Sequence, residues 1–274
     1  MDFFGLIGEK LGHSLSEVIH TRLFEIESLP AAYKLMEIKR EQLHEVGQAI
    51  RLLSFKGINV TIPYKELVVS QLDELDISAR HLMAVNTIKN AGGRLIGYNT
   101  DVHGLKEMFR FHGIHIKGKP AVILGSGGAA KAALQALYEM GASQMVVASR
   151  SPEGKTAPFP NTSFIDYAKL QSIAGGVLLN ATPVGMWPKV DASPVTADIV
   201  SLFDAVVDTI YNPWETQLLL MARDQGKPYC NGLYMLVSQA VKAEEIFWER
   251  PFPEAITNTI YHQLAERLAN KGGV

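Results

Sequence analysis

The sequence has little cysteine, little net charge and no long apolar run. Cys230 is the one cysteine among 274 residues, which excludes an internal disulfide framework and a Cys-x-x-Cys zinc site, and favours a reducing compartment. The 28 acidic and 26 basic residues nearly cancel, so a basic surface for nucleic acid is not expected. No stretch of about 18 apolar residues predicts a membrane span, and the first residues lack the features of a signal peptide. We therefore expect a cytoplasmic protein whose partners include neither a membrane nor a nucleic acid.

The residues that are abundant are those of a globular chain. Hydrophobic residues make up 47% and charged residues 20% of the sequence, and at about 150 residues per domain the length allows one or two domains. Short apolar runs of strand type alternate with longer helical patterns, which predicts α/β architecture. We predict strands at 3–8, 33–38, 57–61, 87–89, 94–97, 121–124, 144–148, 177–179 and 205–208. We predict helices from 16, at 41–53, after Pro63, at 101–112, after the segment 125–130 to about 140, at 233–248 and at 254–269, and a loop at 151–161.

A glycine-rich segment follows the strand predicted at 121–124. Gly125, Gly127 and Ala130 match the pattern G-x-G-x-x-A. In that pattern the first glycine permits a tight turn, the second lets a pyrophosphate approach the backbone, and the small third residue lets helix and strand pack closely. The helix that follows would offer free N–H groups and a partial positive charge to phosphate. The segment predicts a dinucleotide site, and a glycine-bearing turn without a ligand is the alternative.

The end of the strand predicted at 144–148 distinguishes the two nicotinamide cofactors. A site for NAD usually has Asp or Glu there, to bond the ribose 2′-hydroxyl. This chain has Ser149, Arg150 and Ser151 instead. Because a guanidinium can bind a 2′-phosphate, the segment favours NADP. A solvated surface arginine is the alternative.

Ionisable side chains follow two predicted strands of the first half. Lys65 follows Pro63 at the start of a predicted short helix, where a cation opposes the helix dipole. Asp101 follows the strand predicted at 94–97. Both are expected at carboxyl ends of strands, where open α/β sheets place their sites. A lysine beside an aspartate could exchange a proton with a substrate hydroxyl, and a structural salt bridge is the open alternative.

Eight segments of the chain match one family pattern in the same order: 12–16, 59–65, 84–88, 97–101, 125–130, 180–186, 208–213 and 232–240. Through them the chain resembles the shikimate dehydrogenase family over nearly its whole length. The resemblance implies reversible, NADPH-dependent reduction of 3-dehydroshikimate to shikimate, a step of aromatic amino-acid biosynthesis. It also implies an α/β substrate-binding catalytic domain at 1–101 and 234–274 and a Rossmann-type NADP-binding domain at 102–233, with the C-terminal helices returning to the first lobe.

The resemblance further implies roles for individual residues. Lys65 and Asp101 would form the catalytic pair. The residues expected to contact substrate are Ser14, Ser16, Thr61, Lys65, Asn86, Asp101, Tyr211 and Gln239. Those expected to contact NADP are Gly125, Ser126, Gly127, Gly128, Ala129, Ser149, Arg150, Ser151, Thr209 and Gly232. The histidines are scattered without a carboxylate cluster, so no metal is expected.

From the residues alone, structural roles stay open for several of these positions. Ser14 and Ser16 could cap the following helix. Asn86 could stabilise a turn, and Gln239 could be an exposed helix residue. Tyr211 could be a core aromatic with a hydrogen-bonded hydroxyl.

Other functions and states also stay open. The family pattern has a second arginine shortly after the first, and this chain has Lys155 in that neighbourhood. A quinate/shikimate dehydrogenase that uses both NAD and NADP is therefore one alternative. The others are a methylenetetrahydrofolate dehydrogenase and a non-catalytic module that binds NADP or a shikimate-like metabolite. A homodimer is one of the oligomeric states left open.

Overall fold

The computed structural model describes residues 1–12 and 14–270. The chain divides into two compact units. The first unit comprises Met1–Asp101 and Val237–Ile260, and the second comprises Val102–Leu236 and the chain from Tyr261 onward. The predicted domains instead assign all of 234–274 to the first lobe. The boundaries of the functional domains stay a prediction.

The first unit alternates strands and helices in its first half. Its elements are β1 (Asp2–Gly8), α1 (Ser16–Ile26), β2 (Ala31–Glu37), α2 (Val46–Leu52), β3 (Gly57–Val60), β4 (Glu74–Leu75), α3 (Ile77–Arg80), β5 (Thr87–Ala91) and β6 (Arg94–Tyr98). The helix predicted at 41–53 is split, because a 3-10 helix at Arg40–Glu45 precedes α2.

The prediction that Lys65 begins a helix was wrong. After β3 the chain makes a turn in which the Tyr64 backbone N donates to the Thr61 carbonyl over 2.9 Å. The next helical segment is a 3-10 helix at Leu67–Gln71. Lys65 therefore lies in the turn, directly before the N-cap residue Glu66 of that helix.

The sheet of the first unit has the strand order β2-β1-β3-β5-β6-β4. β1 is parallel to β2 and β3, β4 is parallel to β6, and β5 is antiparallel to its neighbours β3 and β6. The start of β5 therefore lies at the same edge as the ends of β1, β3 and β6. We call this edge the first-unit edge. Apolar side chains on and beside these strands form a core of Ile7, Ile50, Ile58, Val60, Tyr64, Val85, Ile88 and Leu95, among others.

The second unit is built around a parallel sheet. Its elements are α4 (Asp101–Phe111), whose first residue belongs to the first unit, β7 (Pro120–Leu124), α5 (Gly128–Glu139), β8 (Gln144–Ala148), β9 (Thr162–Ile165), β10 (Val177–Asn180), α6 (Ala197–Ser201), β11 (Ala205–Asp208), α7 (Gln217–Asp224) and β12 (Tyr229–Cys230). The two remaining helices are α8 (Leu233–Trp248) and α9 (Glu254–Asn270), each divided between the units. A 3-10 helix lies at Tyr167–Ser172, and the predicted loop at 151–161 is confirmed.

The strand order of this sheet explains where a nucleotide could bind. The order is β9-β8-β7-β10-β11-β12, with every neighbouring pair parallel. Chain order runs outward in both directions from β7 and β10, and such a switch point opens a crevice at the carboxyl ends of the strands. Ala121–Leu124 of β7 are buried, as expected for a parallel strand covered on both faces. The core includes Val122, Leu124, Val146, Leu178, Phe203, Val206 and Leu218.

The predicted fold class is confirmed: an α/β first lobe and a Rossmann-type second lobe. Within residues 1–12 and 14–270, no helix is long and apolar enough to cross a membrane.

Candidate active site

The structure brings Lys65 and Asp101 together at the first-unit edge. Lys65 Nζ donates to Asp101 Oδ2 over 2.6 Å, although the residues are 36 positions apart in sequence. Lys65 follows β3 and Asp101 follows β6, and these two strands end at the same edge. The lysine side chain is 22% exposed and the aspartate side chain 10%. The pair is therefore accessible on the lysine side, and a lysine oriented by a carboxylate has the components of an acid–base group.

Asn86 holds the second oxygen of the aspartate. Its side-chain Nδ2 donates to Asp101 Oδ1 and to Thr100 Oγ1, each over 2.9 Å. Its Oδ1 accepts from the Thr100 backbone N over 2.8 Å. Asn86 is buried and stands just before β5, so the antiparallel direction of that strand is what places it at this edge.

Gln239 reaches the same cluster from α8. Its Oε1 accepts from Asn86 Nδ2 at 3.3 Å and from Thr100 Oγ1 at 3.2 Å. The alternative in which Gln239 is an exposed helix residue is therefore wrong. Thr100 was not predicted as a site residue, because its position beside Asp101 also suits a helix N-cap.

The two serines lie at the beginning of α1, after β1. Ser14 Oγ and Ser16 Oγ are 3.1 Å apart, and the Ser16 backbone N donates to Ser14 Oγ over 3.2 Å. Ser14 thus satisfies one amide of the first turn, as the capping alternative requires, while Leu15 occupies the N-cap position. Thr61 directly follows β3, and its backbone N donates to the Ile7 carbonyl over 3.0 Å.

A cavity of about 800 Å³ lies at the carboxyl ends of β7, β8, β9 and β10. Gly125 has φ +99°, and a Cβ there would lie 2.8 Å from Thr182 Cγ2, so the turn requires glycine. Gly127 is the N-cap of α5, whose first amides are available to an anion. The lining residues are Gly125, Ser126, Gly127, Ser149, Arg150, Ser151, Lys155, Tyr167, Ala181, Thr182, Pro183, Val184, Ser193 and Pro194.

Two cations border this cavity. Arg150 is exposed and lines it directly after β8. Lys155 Nζ donates to Ser126 Oγ over 2.6 Å and to Ser149 Oγ over 2.8 Å. A cluster of two cations and hydroxyls suits a phosphate, and Lys155 supplies a charge near the place where the family pattern has its second arginine.

The other predicted cofactor residues surround these strand ends. Gly128 and Ala129 open α5, Thr209 follows β11 and Gly232 follows β12. A Cβ at Gly232 would lie 2.0 Å from the Thr209 carbonyl oxygen, which excludes a side chain there. Their contacts with NADP stay predictions.

Tyr211 is the predicted substrate residue that belongs to the second unit. Burial raises the pKa of its hydroxyl above the ordinary value, so the hydroxyl is a protonated donor at neutral pH. Its substrate contact stays a prediction.

Several cavity residues were missed from the sequence. Thr182, Pro183 and Val184 closely follow β10, so the rule that sites gather at carboxyl ends of strands would have found them. Tyr167 and Ser193 carried no such signal. No group of three or more His, Cys, Asp or Glu able to hold a metal occurs within the part of the chain that the structure describes.

Comparisons with known proteins agree with this arrangement. The family model of the shikimate dehydrogenase substrate binding domain matches residues 6–88. A curated shikimate dehydrogenase (NADP(+)) from Clostridium beijerinckii is 43% identical over 262 residues, covering 95% of this chain and 97% of that protein.

Solved structures give the same result. A shikimate dehydrogenase from Peptoclostridium difficile is 45% identical with a TM-score of 0.93, covering 98% of this chain and 99% of that one. A shikimate 5-dehydrogenase from Thermus thermophilus, solved with NADP(H) and shikimate, is 30% identical with a TM-score of 0.84. The match covers 96% of this chain and 99% of that one. The chain therefore belongs to the shikimate dehydrogenase family.

Proposed function

We propose that this protein is an NADP-dependent oxidoreductase that reversibly reduces 3-dehydroshikimate to shikimate in aromatic amino-acid biosynthesis. The observation that carries the proposal is the 2.6 Å contact between Lys65 Nζ and Asp101 Oδ2, with Asn86 on the other carboxylate oxygen. This acid–base pair occurs in a chain that is 43% identical to a shikimate dehydrogenase (NADP(+)).

The side chains of the cavity in the second unit fit NADP. The turn at Gly125 and the amide end of α5 suit a pyrophosphate. Arg150 and Lys155, with the Ser149 hydroxyl between Lys155 and the strand end, suit the extra phosphate that distinguishes NADP from NAD. When bound, NADPH supplies the hydride that reduces the substrate's keto carbon.

The residues of the first unit handle the proton. As the keto carbon gains the hydride, its oxygen becomes an alkoxide, and Lys65 Nζ gives that oxygen a proton. Asp101 Oδ2 holds the ammonium in place, and solvent restores the proton to the lysine. In the oxidation direction the Lys65 amine takes the proton of the substrate hydroxyl. The positioned charge stabilises the developing alkoxide, which is the larger part of such catalysis.

The remaining polar groups at the first-unit edge suit a hydroxylated ring acid. Ser14 and Ser16 would donate to its carboxylate. Thr61, Asn86 and Gln239 would bind its ring hydroxyls, because hydroxyls and amides can both donate and accept.

The direct test is a spectrophotometric assay with shikimate and quinate, each against NADP and NAD. We expect turnover with shikimate and NADP. Comparable rates with quinate and NAD would favour the broader quinate/shikimate dehydrogenase. Cofactor binding without turnover on either acid would favour the non-catalytic binding module. Turnover in a separate assay with a folate substrate would favour the methylenetetrahydrofolate dehydrogenase.

Lys65→Ala tests the acid–base assignment in the same assay. We expect kcat to fall by about 100-fold or more with little change in the KM for shikimate, since a proton-transfer group is lost. Lys106→Ala is the matched control, because it removes a lysine whose ion pair with Glu139 is of similar length, 2.7 Å, outside both sites. Near-normal turnover in Lys65→Ala would contradict the assignment.

Two further proposals concern the state of the protein in the cell. The single, buried thiol of Cys230 suits a reducing compartment, and we place the enzyme in the cytoplasm. A homodimer is the oligomeric state that we propose to test first, by sedimentation.

A further inference from the structure

We propose that Thr87 and Asn59 are positioning residues for the acid–base pair. They hold the Asn86 side-chain amide in the orientation that donates to Asp101. The inference rests on the proposed function, because the pair must carry the proton transfer for its orientation to matter.

The first step is the orientation of Asn59. Its Oδ1 accepts from the Tyr33 hydroxyl over 2.9 Å. Its Nδ2 therefore faces the other way, toward Thr87 Oγ1 at 3.1 Å and the Asn86 carbonyl at 3.3 Å. A flipped Asn59 amide would set its oxygen against that carbonyl, and two acceptors in a buried site would repel each other.

The second step is the orientation of Thr87. Because Thr87 Oγ1 accepts from Asn59 Nδ2, its own hydrogen is available for Asn86 Oδ1, 3.0 Å away. Asn86 Oδ1 thus accepts from the Thr87 hydroxyl as well as from the Thr100 backbone N at 2.8 Å. These two donors together turn Asn86 Nδ2 toward Asp101 Oδ1, 2.9 Å away. A carboxylate can only accept, so this is the amide orientation that the aspartate needs.

These hydrogen bonds form a continuous series in which every donor points toward Asp101. The series runs from Tyr33 through Asn59, Thr87 and Asn86 to Asp101. Hydrogen bonds aligned in this manner polarise and strengthen one another in a low-dielectric interior. The series therefore directs partial positive charge toward the carboxylate that orients Lys65.

The far end of the series is a phenol that stays a donor. The Tyr33 ring stacks on His20 with centroids 3.9 Å apart, and His20 pairs with Glu244 over 2.5 Å. Burial, and then the charge of Glu244, raise the pKa of Tyr33 well above its ordinary value. A protonated Tyr33 keeps the direction of the donors described above.

Burial separates Thr87 from a substrate-binding role. Thr87 is 0% exposed and Asn59 is 5% exposed. Thr87 has no exposed surface with which to touch a ligand, and its hydroxyl bonds to Asn59 and Asn86. We therefore expect its effect on turnover to pass through Asn86, which makes Thr87 a positioning residue, with Asn59 acting behind it.

The test compares Thr87→Val with Thr87→Ser. Valine keeps the shape of threonine and loses the hydroxyl, whereas serine keeps the hydroxyl and loses a methyl group. We expect Thr87→Val to lower kcat/KM for shikimate about fivefold, the effect of one neutral hydrogen bond. We expect Thr87→Ser to stay within about twofold of the wild type. A role in packing alone predicts the opposite order. Thr257→Val, at another buried threonine of the first unit, is the control and should leave kcat/KM unchanged.

A double-mutant cycle shows whether Thr87 acts through Asn86. In an Asn86→Ala background, Thr87→Val should change kcat/KM by less than about twofold, because the group that it orients is gone. A full fivefold loss in that background would overturn the proposal, as would a normal Thr87→Val or an equally impaired Thr87→Ser. If Thr87→Val does not fold, Thr87→Ala against Thr87→Ser isolates the same hydroxyl. A wild type without turnover would overturn the proposed function and this inference together, whereas an active wild type with a normal Thr87→Val overturns the inference alone.

Discussion

At the scale of single residues, we expect Arg150 and Lys155 to decide which cofactor the second unit prefers. Arg150 presents a planar fork of donors at an exposed position, whereas Lys155 is a point charge already held by two serine hydroxyls. The fork can bind two phosphate oxygens at once, and the ammonium can shield the phosphate's remaining charge. We propose that these two different cations take the place of the two arginines of the family pattern.

We expect Arg150→Ala and Lys155→Ala each to raise the KM for NADP by about tenfold or more, because each removes a charge-assisted hydrogen bond to phosphate. The KM for NAD should change little, since NAD lacks that phosphate. Lys117→Ala removes an exposed lysine that precedes β7, at the opposite end of the strand, and serves as the control. Equal losses with the two cofactors would show that these cations do not bind the 2′-phosphate. Initial rates over a range of each cofactor measure the effect.

At the scale of elements, the ends of β10 and β11 are tied by a buried carboxylate. Asp208 Oδ1 accepts from Asn180 Nδ2 over 3.1 Å and from the Ile210 backbone N over 3.0 Å, and Asp208 Oδ2 accepts from Thr216 Oγ1 over 2.7 Å. Burial raises the pKa of Asp208 from 3.8 to about 6 despite these bonds. Asp208 therefore links the start of the loop that carries Thr209 to the start of the loop that carries Thr182. Its carboxyl group titrates in the weakly acidic range.

This raised pKa makes part of the stability depend on pH. Below pH 3.8 both folded and unfolded states hold the proton, between 3.8 and about 6 the folded state holds more, and the contribution is lost as the pH rises through 6. The free energy of unfolding of the wild type minus that of Asp208→Asn should therefore be larger at pH 5 than at pH 8, by about 1–2 kcal/mol. Urea denaturation at both pH values measures it, and a difference that stays constant with pH would contradict the prediction.

Whether an element could be predicted from the sequence depended on its length, because a longer element shows a clearer apolar pattern. The strands at Gln144–Ala148 and Ala205–Asp208 and the helix at Leu233–Trp248 were predicted to the residue, because each carries a continuous apolar or periodic pattern. Glu74–Leu75 and Tyr229–Cys230 are two-residue strands, too short to carry a period, and they were missed.

The candidate site shows the same division. Lys65 and Asp101 were predicted as neighbours because both follow strands, and their contact is confirmed. Asn86 was assigned only through the family resemblance, because an asparagine before a strand also suits a turn. Thr87 gave no signal, since a buried threonine within a strand resembles an ordinary packing residue.

At the scale of the whole molecule, the chain has two compact units, each with its own sheet and core. The groups proposed for the acid substrate lie in the first unit, apart from Tyr211. The groups proposed for NADP lie in the second. We therefore expect NADP to stabilise mainly the second unit and shikimate mainly the first.

Hydrogen exchange measured by mass spectrometry tests whether each ligand binds the unit proposed for it. NADP alone should slow exchange at the amides of 125–130, 149–155 and 181–184. Shikimate alone should slow it at 14–16, 61–65 and 86–87. Protection arises because a bound ligand stabilises the closed state of the amides that it contacts. The hairpin at 91–94, outside both sets, is the internal control. Shikimate protection confined to the second unit would contradict the proposed domain roles.

The hairpin formed by β5 and β6 contains a turn in which we expect the sequence to tolerate insertions. β5 starts and β6 ends at the first-unit edge, so their connecting turn at Gly92 and Gly93 lies at the far edge, about 17 Å away at about 3.3 Å per residue. Residues 91–94 are also exposed. We expect insertions or a peptide tag in this turn to leave the register of Thr87 opposite Tyr98 undisturbed, with loss of the hydrogen bond from Arg51 Nε to the Gly93 carbonyl. We therefore expect related chains to differ in the length of this turn. The pairing of β5 with β6 keeps Asn86 and Asp101 at the first-unit edge.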